Sequence, residues 1–293
     1  MFDLKTIYNN CRICPHECNV DRIQGEFGIC GELATMRIAS VGLHLGEETP
    51  LITKKGSGTL FFTGCSLHCQ HCQNIEISQS KSPLGVPYSL QKLAFTLLQL
   101  EKMGAANANF VTPTHFAPSI IESIKLARKQ GFSLPIVYNT SGYEKVETLK
   151  YVDPFVDTYL LDIKTLDYTV AKAFCGSRDY PDVILKVVDY LKTKKTKTFI
   201  DNEGFIRGLL VRHLIFPDCF KATKEFLYWY ADNLKERAYL SILFHFVYPK
   251  QGKRFSTLSN EQYEELINLL KELKITKGYI QGLNYGNYTL DEL

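Results

Sequence analysis

No apolar stretch in this chain of 293 residues approaches the roughly 20 that cross a bilayer, so no membrane span is expected. The first residues, Met1-Phe2-Asp3-Leu4-Lys5, show no basic segment leading into an apolar run, and no signal peptide is expected. Neither sign of charge is in excess. Lys and Arg total 34 against 31 Asp and Glu, a net charge of +3, which argues against an acidic tail or a strongly basic nucleic-acid module. No internal repeat is visible. The one short basic run, Lys192-Thr193-Lys194-Lys195-Thr196-Lys197, is read first as a solvated loop and second as a contact to phosphate or an acidic partner. These absences point to a cytoplasmic globular protein. With 45% apolar residues the chain can bury a substantial core, as one large α/β domain or one and a half ordinary ones.

Cysteine, by contrast, is plentiful and unevenly placed. Of nine cysteines, seven lie in the first quarter of the chain: Cys11, Cys14, Cys18 and Cys30, then Cys65, Cys69 and Cys72; Cys175 and Cys219 stand alone. Disulfides do not persist in a reducing cytoplasm, so clustered cysteines there indicate metal or redox chemistry; a disulfide framework is the alternative.

Residues 1–50 are rich in Cys, Gly and charge and are expected to form a small Cys-rich metal-binding module with one strand at Met36–Ser40. Over 51–293 short apolar runs alternate with helix-period stretches, as in repeated β/α units. Strands are expected at Thr59–Thr63, Asn109–Thr112, Pro135–Asn139, Asp157–Asp162, Leu209–His213 and Tyr239–Phe246. Ser89 can cap a helix ending at Gly104, and another runs from Ala117 to Lys129 with Gly131 as its stop. Further helices start near Tyr143, Pro181 and Lys221, and Ser259 with Gln262 forms a capping box for the last. Six units are fewer than the eight of a closed barrel. The expected fold is therefore an α/β partial (β/α)6 TIM-like barrel, with its chemistry just after each strand.

Directly after Leu60-Phe61-Phe62 comes Gly64-Cys65-Ser66-Leu67-His68-Cys69-Gln70-His71-Cys72. Three thiolates spaced in this way on one loop can ligate three irons of a cubane and leave the fourth iron open to a substrate. The other reading is a zinc site that borrows His68 or His71 as its fourth ligand.

Cys-x3-Cys-x2-Cys after the first barrel strand resembles the radical S-adenosylmethionine (SAM) superfamily. Gln73-Asn74 after the third cysteine resembles relatives of the pyruvate formate-lyase activating enzyme. An uncharacterised branch of that group is matched by Cys11-x2-Cys14-Pro15-x2-Cys18, Gly25-Glu26-Phe27-Gly28-x-Cys30-Gly31, His44-Leu45-Gly46-Glu47-Glu48, Gly56-Ser57-Gly58-Thr59, Val111-Thr112-Pro113-Thr114-His115, Tyr138-Asn139-Thr140-Ser141-Gly142-Tyr143 and Val211-Arg212-His213-Leu214. The resemblance implies that Cys65, Cys69 and Cys72 hold a [4Fe–4S] cluster. SAM would chelate its open iron and be cleaved reductively to a 5′-deoxyadenosyl radical. It also implies a flavodoxin- or ferredoxin-like electron donor and, for an activating enzyme, a glycyl radical enzyme as partner. Two departures stand out: His71 occupies a position that is usually aromatic, and the Gly-Gly-Glu that holds the SAM amino group is absent. Asn109–His115 takes its place, where Thr112, Thr114 or His115 can accept that hydrogen bond or form a turn around Pro113.

Further cofactor contacts are expected from Asn139, Thr140 and Ser141 after the third strand, residues that can equally form a turn and a helix cap. Asp162 and Lys164 resemble the Asp-x-Lys of activating enzymes and share one face of their strand. Arg212, not His213, is expected to face inward because it suits a carboxylate. His245 is a weaker candidate.

Cys11, Cys14, Cys18 and Cys30 offer a closed four-thiolate site, for structural zinc or an auxiliary [4Fe–4S] cluster. Cys175 and Cys219 read as ordinary buried residues. The activity expected first is that of an activase. Modification of another peptide, RNA or a small molecule is the rival enzyme reading, and a non-catalytic iron–sulfur or zinc scaffold is the third. The small net charge disfavours a large RNA.

Overall fold

A computed structural model describes residues 4–70, 72–79, 84–247, 254–283 and 287–292. Its strands are β1 (Met36–His44), β2 (Ser57–Phe62), β3 (Val86–Tyr88), β4 (Ala108–Val111), β5 (Ile136–Thr140), β6 (Thr158–Asp162), β7 (Phe199–Ile200), β8 (Ile206–Leu214), β9 (Tyr239–Leu243), β10 (His245–Val247), β11 (Arg254–Ser256), β12 (Gly278–Gln281) and β13 (Asn287–Thr289). The helices are α1 (Leu4–Asn9), α2 (Ile75–Ser78), α3 (Leu90–Met103), α4 (Ala117–Arg128), α5 (Val146–Val152), α6 (Tyr168–Val170), α7 (Tyr180–Lys194), α8 (Phe220–Asn233) and α9 (Asn260–Glu272).

In the main sheet β2, β4, β5, β6, β8, β9 and β12 run parallel in that order. Antiparallel β1 and β3 flank β2, and β13 flanks β12, so the sheet stays open. This is the partial barrel expected from six β/α units, extended by one further parallel strand, β12. Two details differ from expectation. Tyr239–Phe246 splits into β9 and β10, the latter pairing with β11, and β12 is four residues long, too short for its alternation to stand out in the sequence. The strand expected at Met36–Ser40 extends to His44 and joins the main sheet beside β2.

The period of two explains how one strand serves both core and site. Val137, Leu160 and Leu210 face one way and pack with Leu51, Phe205 and Ile206 into a small inner core. Two residues further along the same strands and on the same face stand Asn139, Asp162 and Arg212, which line a cavity. Tyr138, Tyr159, Leu161, Leu209 and Val211 face the other way, into the larger core beneath the helices. Leu51, fully buried on the loop between β1 and β2, plugs the foot of the barrel; its truncation to Ala costs about 2–5 kcal/mol.

The helices end where the sequence predicts. Ser89 Oγ accepts from Lys92 N–H at 3.1 Å, and Gly104 closes α3 at φ 89°. Ser259 and Gln262 form the reciprocal capping box of α9. The N-terminal segment carries a separate small core of Tyr8, Cys11 and Ile13.

Candidate active site

A cavity of about 490 Å³ opens at the C-terminal ends of the parallel strands, the size range of cofactor pockets. Cys65, Cys69 and Cys72 line one side of it, on the loop that leaves β2. Cys65 is buried; Cys69 and Cys72 are partly exposed. Cys65 Sγ accepts from Leu67 N–H at 3.3 Å, and Ser78 Oγ–H donates to Cys72 Sγ at 3.3 Å. Burial pushes the Cys69 thiol well above its ordinary pKa, while Lys164 works against that shift. His71, departing from the usual aromatic, lies outside the described residues. His68 faces away from a ligand role, its ring donating to the Ile29 carbonyl at 2.7 Å.

The same cavity is lined by a charged network. Arg212 Nε donates to Asp162 Oδ1 at 2.8 Å and its Nη2 to Asn139 Oδ1 at 3.1 Å. Lys164 Nζ donates to Asp162 Oδ2 at 2.9 Å. Burial alone would raise the Asp162 pKa, but the two cations hold it at about 2. The network keeps one carboxylate ionised between two cations, a wall suited to a zwitterionic ligand.

Of the expected cofactor residues, Thr112, Asn139, Ser141, Asp162, Lys164 and Arg212 line the cavity, as does His245. Thr112 is held at φ 54°, a rare conformation for a β-branched residue. Thr114, Thr140 and His115 do not line it. Thr114 and Thr140 hydroxyls donate to Glu144 Oε1 at 2.6 and 2.5 Å, and burial raises Glu144 to about 7. The buried His115 ring donates to the Thr63 carbonyl at 2.7 Å. Thr114 and His115 sit in the turn that follows Pro113, and Thr140 faces the side of β5 opposite its neighbour Asn139, so all three pack behind the cavity.

Two acidic cavity residues carried no expected role: Glu47 and Glu48, on the loop between β1 and β2. Glu47 receives Asn109 Nδ2–H at 3.1 Å and lies 3.5 Å from Arg212; burial raises its pKa, which Arg212 partly offsets. Glu48 Oε2 and Ser141 Oγ are buried without partners. The acidic pair is visible in the sequence, but only the fold turns its loop into the barrel.

In the N-terminal segment Cys11, Cys14 and Cys30 are buried and Cys18 is partly exposed. All four lie close enough to influence one another's charge. Among the described residues no three Cys, His, Asp or Glu side chains converge as ligands of one ion do; a cubane's thiolates, each on its own iron, stand farther apart. Cys175 is fully buried with its carbonyl 3.7 Å from Cys69 Sγ, while Cys219 is only partly buried.

Residues 59–211 match the family model of the radical SAM superfamily, and the chain belongs to that superfamily. An uncharacterized protein of Methanocaldococcus jannaschii is 27% identical over 289 residues, covering 96% of this chain and 78% of its own. A radical SAM methyltransferase from Sphaerobacter thermophilus superposes with a TM-score of 0.55 at 10% identity, over 76% of this chain and 66% of that one. Native anSMEcpe with bound AdoMet does so with a TM-score of 0.53 at 12% identity, over 75% and 62%. The chain thus spans about two thirds or less of these solved structures, and the likeness at such identities is one of fold. Membership of the superfamily implies a [4Fe–4S] cluster and SAM. The residues present fit both, with three thiols on one loop and, in the same cavity, two orphaned polar atoms for a ligand that brings donors and acceptors. No helix among the described residues is long and apolar enough to cross a membrane.

Proposed function

We propose that this radical SAM enzyme holds its [4Fe–4S] cluster on Cys65, Cys69 and Cys72 and acts by hydrogen abstraction on a polypeptide, with a glycyl radical enzyme as the first candidate. The observation that carries the reading is the shared cavity: three thiols on one wall, and Asp162, Lys164 and Arg212 on another. Bound there, cluster and SAM supply one-electron cleavage of the sulfonium bond and a radical that abstracts hydrogen. The chain's own residues position and shield that chemistry. Lys164 and Arg212 suit the SAM carboxylate. The unpartnered Glu48 Oε2 suits its ammonium group, taking the place of the missing Gly-Gly-Glu from a different loop. The polypeptide target is supported by the open sheet, on whose later side the cavity is lined by Leu243 of β9, His245 of β10, and Tyr279 and Gln281 of β12.

Anaerobic reconstitution with iron and sulfide, then reductant and SAM, is expected to yield 5′-deoxyadenosine on chromatography. Addition of a glycyl radical enzyme is expected to bring up the doublet of a glycyl radical by EPR. Nucleoside without that doublet would turn the substrate reading to another peptide, RNA or a small molecule. Glu48→Gln is expected to weaken SAM binding roughly tenfold, the loss of one charge-assisted hydrogen bond; unchanged affinity removes Glu48 from the site.

A further inference from the structure

The N-terminal segment folds around a cation, Arg22, with no carboxylate ion partner among the described residues. Arg22 is 1% exposed. Its guanidinium carbon lies 4.8 Å from the centroid of the Tyr8 ring and 5.3 Å from that of Phe116. It donates to the carbonyls of His115 at 2.7 Å and Leu33 at 2.6 Å, and reaches Cys11 Sγ at 3.8 Å. Its Nε is buried with no partner. A guanidinium keeps its charge at any physiological pH, and a buried charge demands a counter-charge. Among the described residues no carboxylate forms an ion pair with Arg22; Glu32, which senses its charge, is held by Arg37 at 3.4 Å.

Beside those rings and carbonyls, the charge nearest Arg22 is that of thiols. Cys11 touches it and Cys30 feels its charge, and Cys14 and Cys18 complete the group. Backbone N–H groups already point at these sulfurs: Ile29 N–H donates to Cys18 Sγ at 3.4 Å, and Cys14 and Cys30 receive those of His16 and Glu32. Such N–H···S bonds are the usual surroundings of metal-bound thiolates. Gly28 stays bare for the same packing, since a Cβ there would stand 3.2 Å from Cys30 Sγ.

We propose that Cys11, Cys14, Cys18 and Cys30 bind a second [4Fe–4S] cluster, with Arg22 as its built-in counter-ion, one hydrogen bond from the loop that carries Cys65. A centre with four thiolate ligands is closed and carries net negative charge, which is what the buried guanidinium lacks. The link to the catalytic loop is direct. Cys65 N–H donates to the Cys30 carbonyl at 3.2 Å, and the His16 ring donates to the Ser66 carbonyl at 2.6 Å. A Cβ on Gly64 would stand 2.5 Å from the Cys30 carbonyl oxygen. Filling the N-terminal site therefore stiffens the loop that carries the other. The adjacency rests on the radical SAM reading; the N-terminal site itself stands on its own residues.

The test is anaerobic reconstitution of the full chain, with iron, sulfide and zinc counted and the EPR spectrum recorded after dithionite reduction. The wild type is expected to hold about eight irons, and Cys69→Ala and Cys14→Ala about four each. The cluster signal missing from Cys14→Ala should persist in Cys69→Ala. Arg22→Met is expected to lose the same signal as Cys14→Ala, and Arg22→Lys, which keeps the charge, to retain it. If Cys14→Ala fails to fold, Cys18→Ala, at a partly exposed position, carries the same expectation. About four irons in the wild type that Cys14→Ala leaves unchanged, or one zinc per chain that departs with Cys14→Ala, overturns the proposal. Iron that leaves with Cys14→Ala but never with Cys69→Ala keeps the proposal and overturns the assignment of the cluster at the barrel mouth.

Discussion

The two cysteine groups meet across a shared wall, yet they present their sulfur to opposite surroundings. Cys65, Cys69 and Cys72 open onto a cavity of about 490 Å³, with Lys164 as the cation that senses Cys65 and Cys69. Cys11, Cys14 and Cys30 are buried in a small apolar nest, with Arg22 as theirs. Lys164 is neutralised by Asp162 at 2.9 Å, whereas Arg22 has no carboxylate ion partner among the described residues. The same ligand chemistry thus teaches two lessons: an open coordination position needs room and paired charge around it, and a closed centre can itself be the missing charge.

The largest test of this contrast is Cys69→Ala, which is expected to abolish 5′-deoxyadenosine formation while the N-terminal site keeps its iron; Cys14→Ala is expected to keep the activity in proportion to the protein that remains folded. If the Cys69 variant still cleaved SAM, the central assignment would be wrong. Next is Arg212→Ala. It strips Asp162 and Glu47 of a buried partner and is expected to cost about 3–5 kcal/mol, read by chemical denaturation, together with loss of SAM binding by titration.

Gly64→Ala acts on the seam between the groups. Gly64 sits at φ 74° with no room for a Cβ against Cys30 and Glu32, so a loss of roughly 1–3 kcal/mol is expected, with reduced iron retention at both sites. His115 bridges the same seam, its carbonyl receiving Arg22 and its ring held on Thr63. Burial depresses its pKa from 6.5 to about 3, so the unfolded chain takes up a proton that the folded one refuses. The stability this contributes is present above about pH 6.5 and falls as pH drops toward 3. Between pH 7.5 and 5.0 the wild type is expected to lose about 2 kcal/mol more than His115→Gln in urea unfolding; equal losses would remove His115 from the seam. The smallest effect is expected at Gly25→Ala. That glycine has φ 96° but no atom within 4 Å of an added Cβ, so strain alone applies, about 1 kcal/mol, and both iron sites should be unchanged.

Much of this was legible in the sequence because it depends on short-range rules. The β/α alternation, the cap at Ser89 and the capping box at Ser259 follow from periodicity and side-chain chemistry within a few residues. The two-residue period of a strand also puts Asp162, Lys164 and Arg212 on the cavity side, where they lie, while His213 donates to the Ile163 carbonyl at 2.8 Å, away from the cavity. Nearness in sequence to a strand end does not tell on which side of a turn Thr114 and His115 emerge, whereas Thr140, next to Asn139 on β5, faces away by the same two-residue period.

The chain by itself determined the three-cysteine loop after the first barrel strand, the order of the β/α units and the residues at their C-terminal ends, since ligand spacing and strand alternation are local. Only the tertiary structure decided that the loop after β1 turns into the barrel to bring Glu47 and Glu48 to the cavity. It alone decided that Arg22 is buried among thiols with no carboxylate ion partner among the described residues. It alone decided that Cys30 lies one hydrogen bond from Cys65, 35 residues on in the chain. Those facts depend on long-range packing and on the cost of burying charge, and neither is written in the spacing of neighbouring residues.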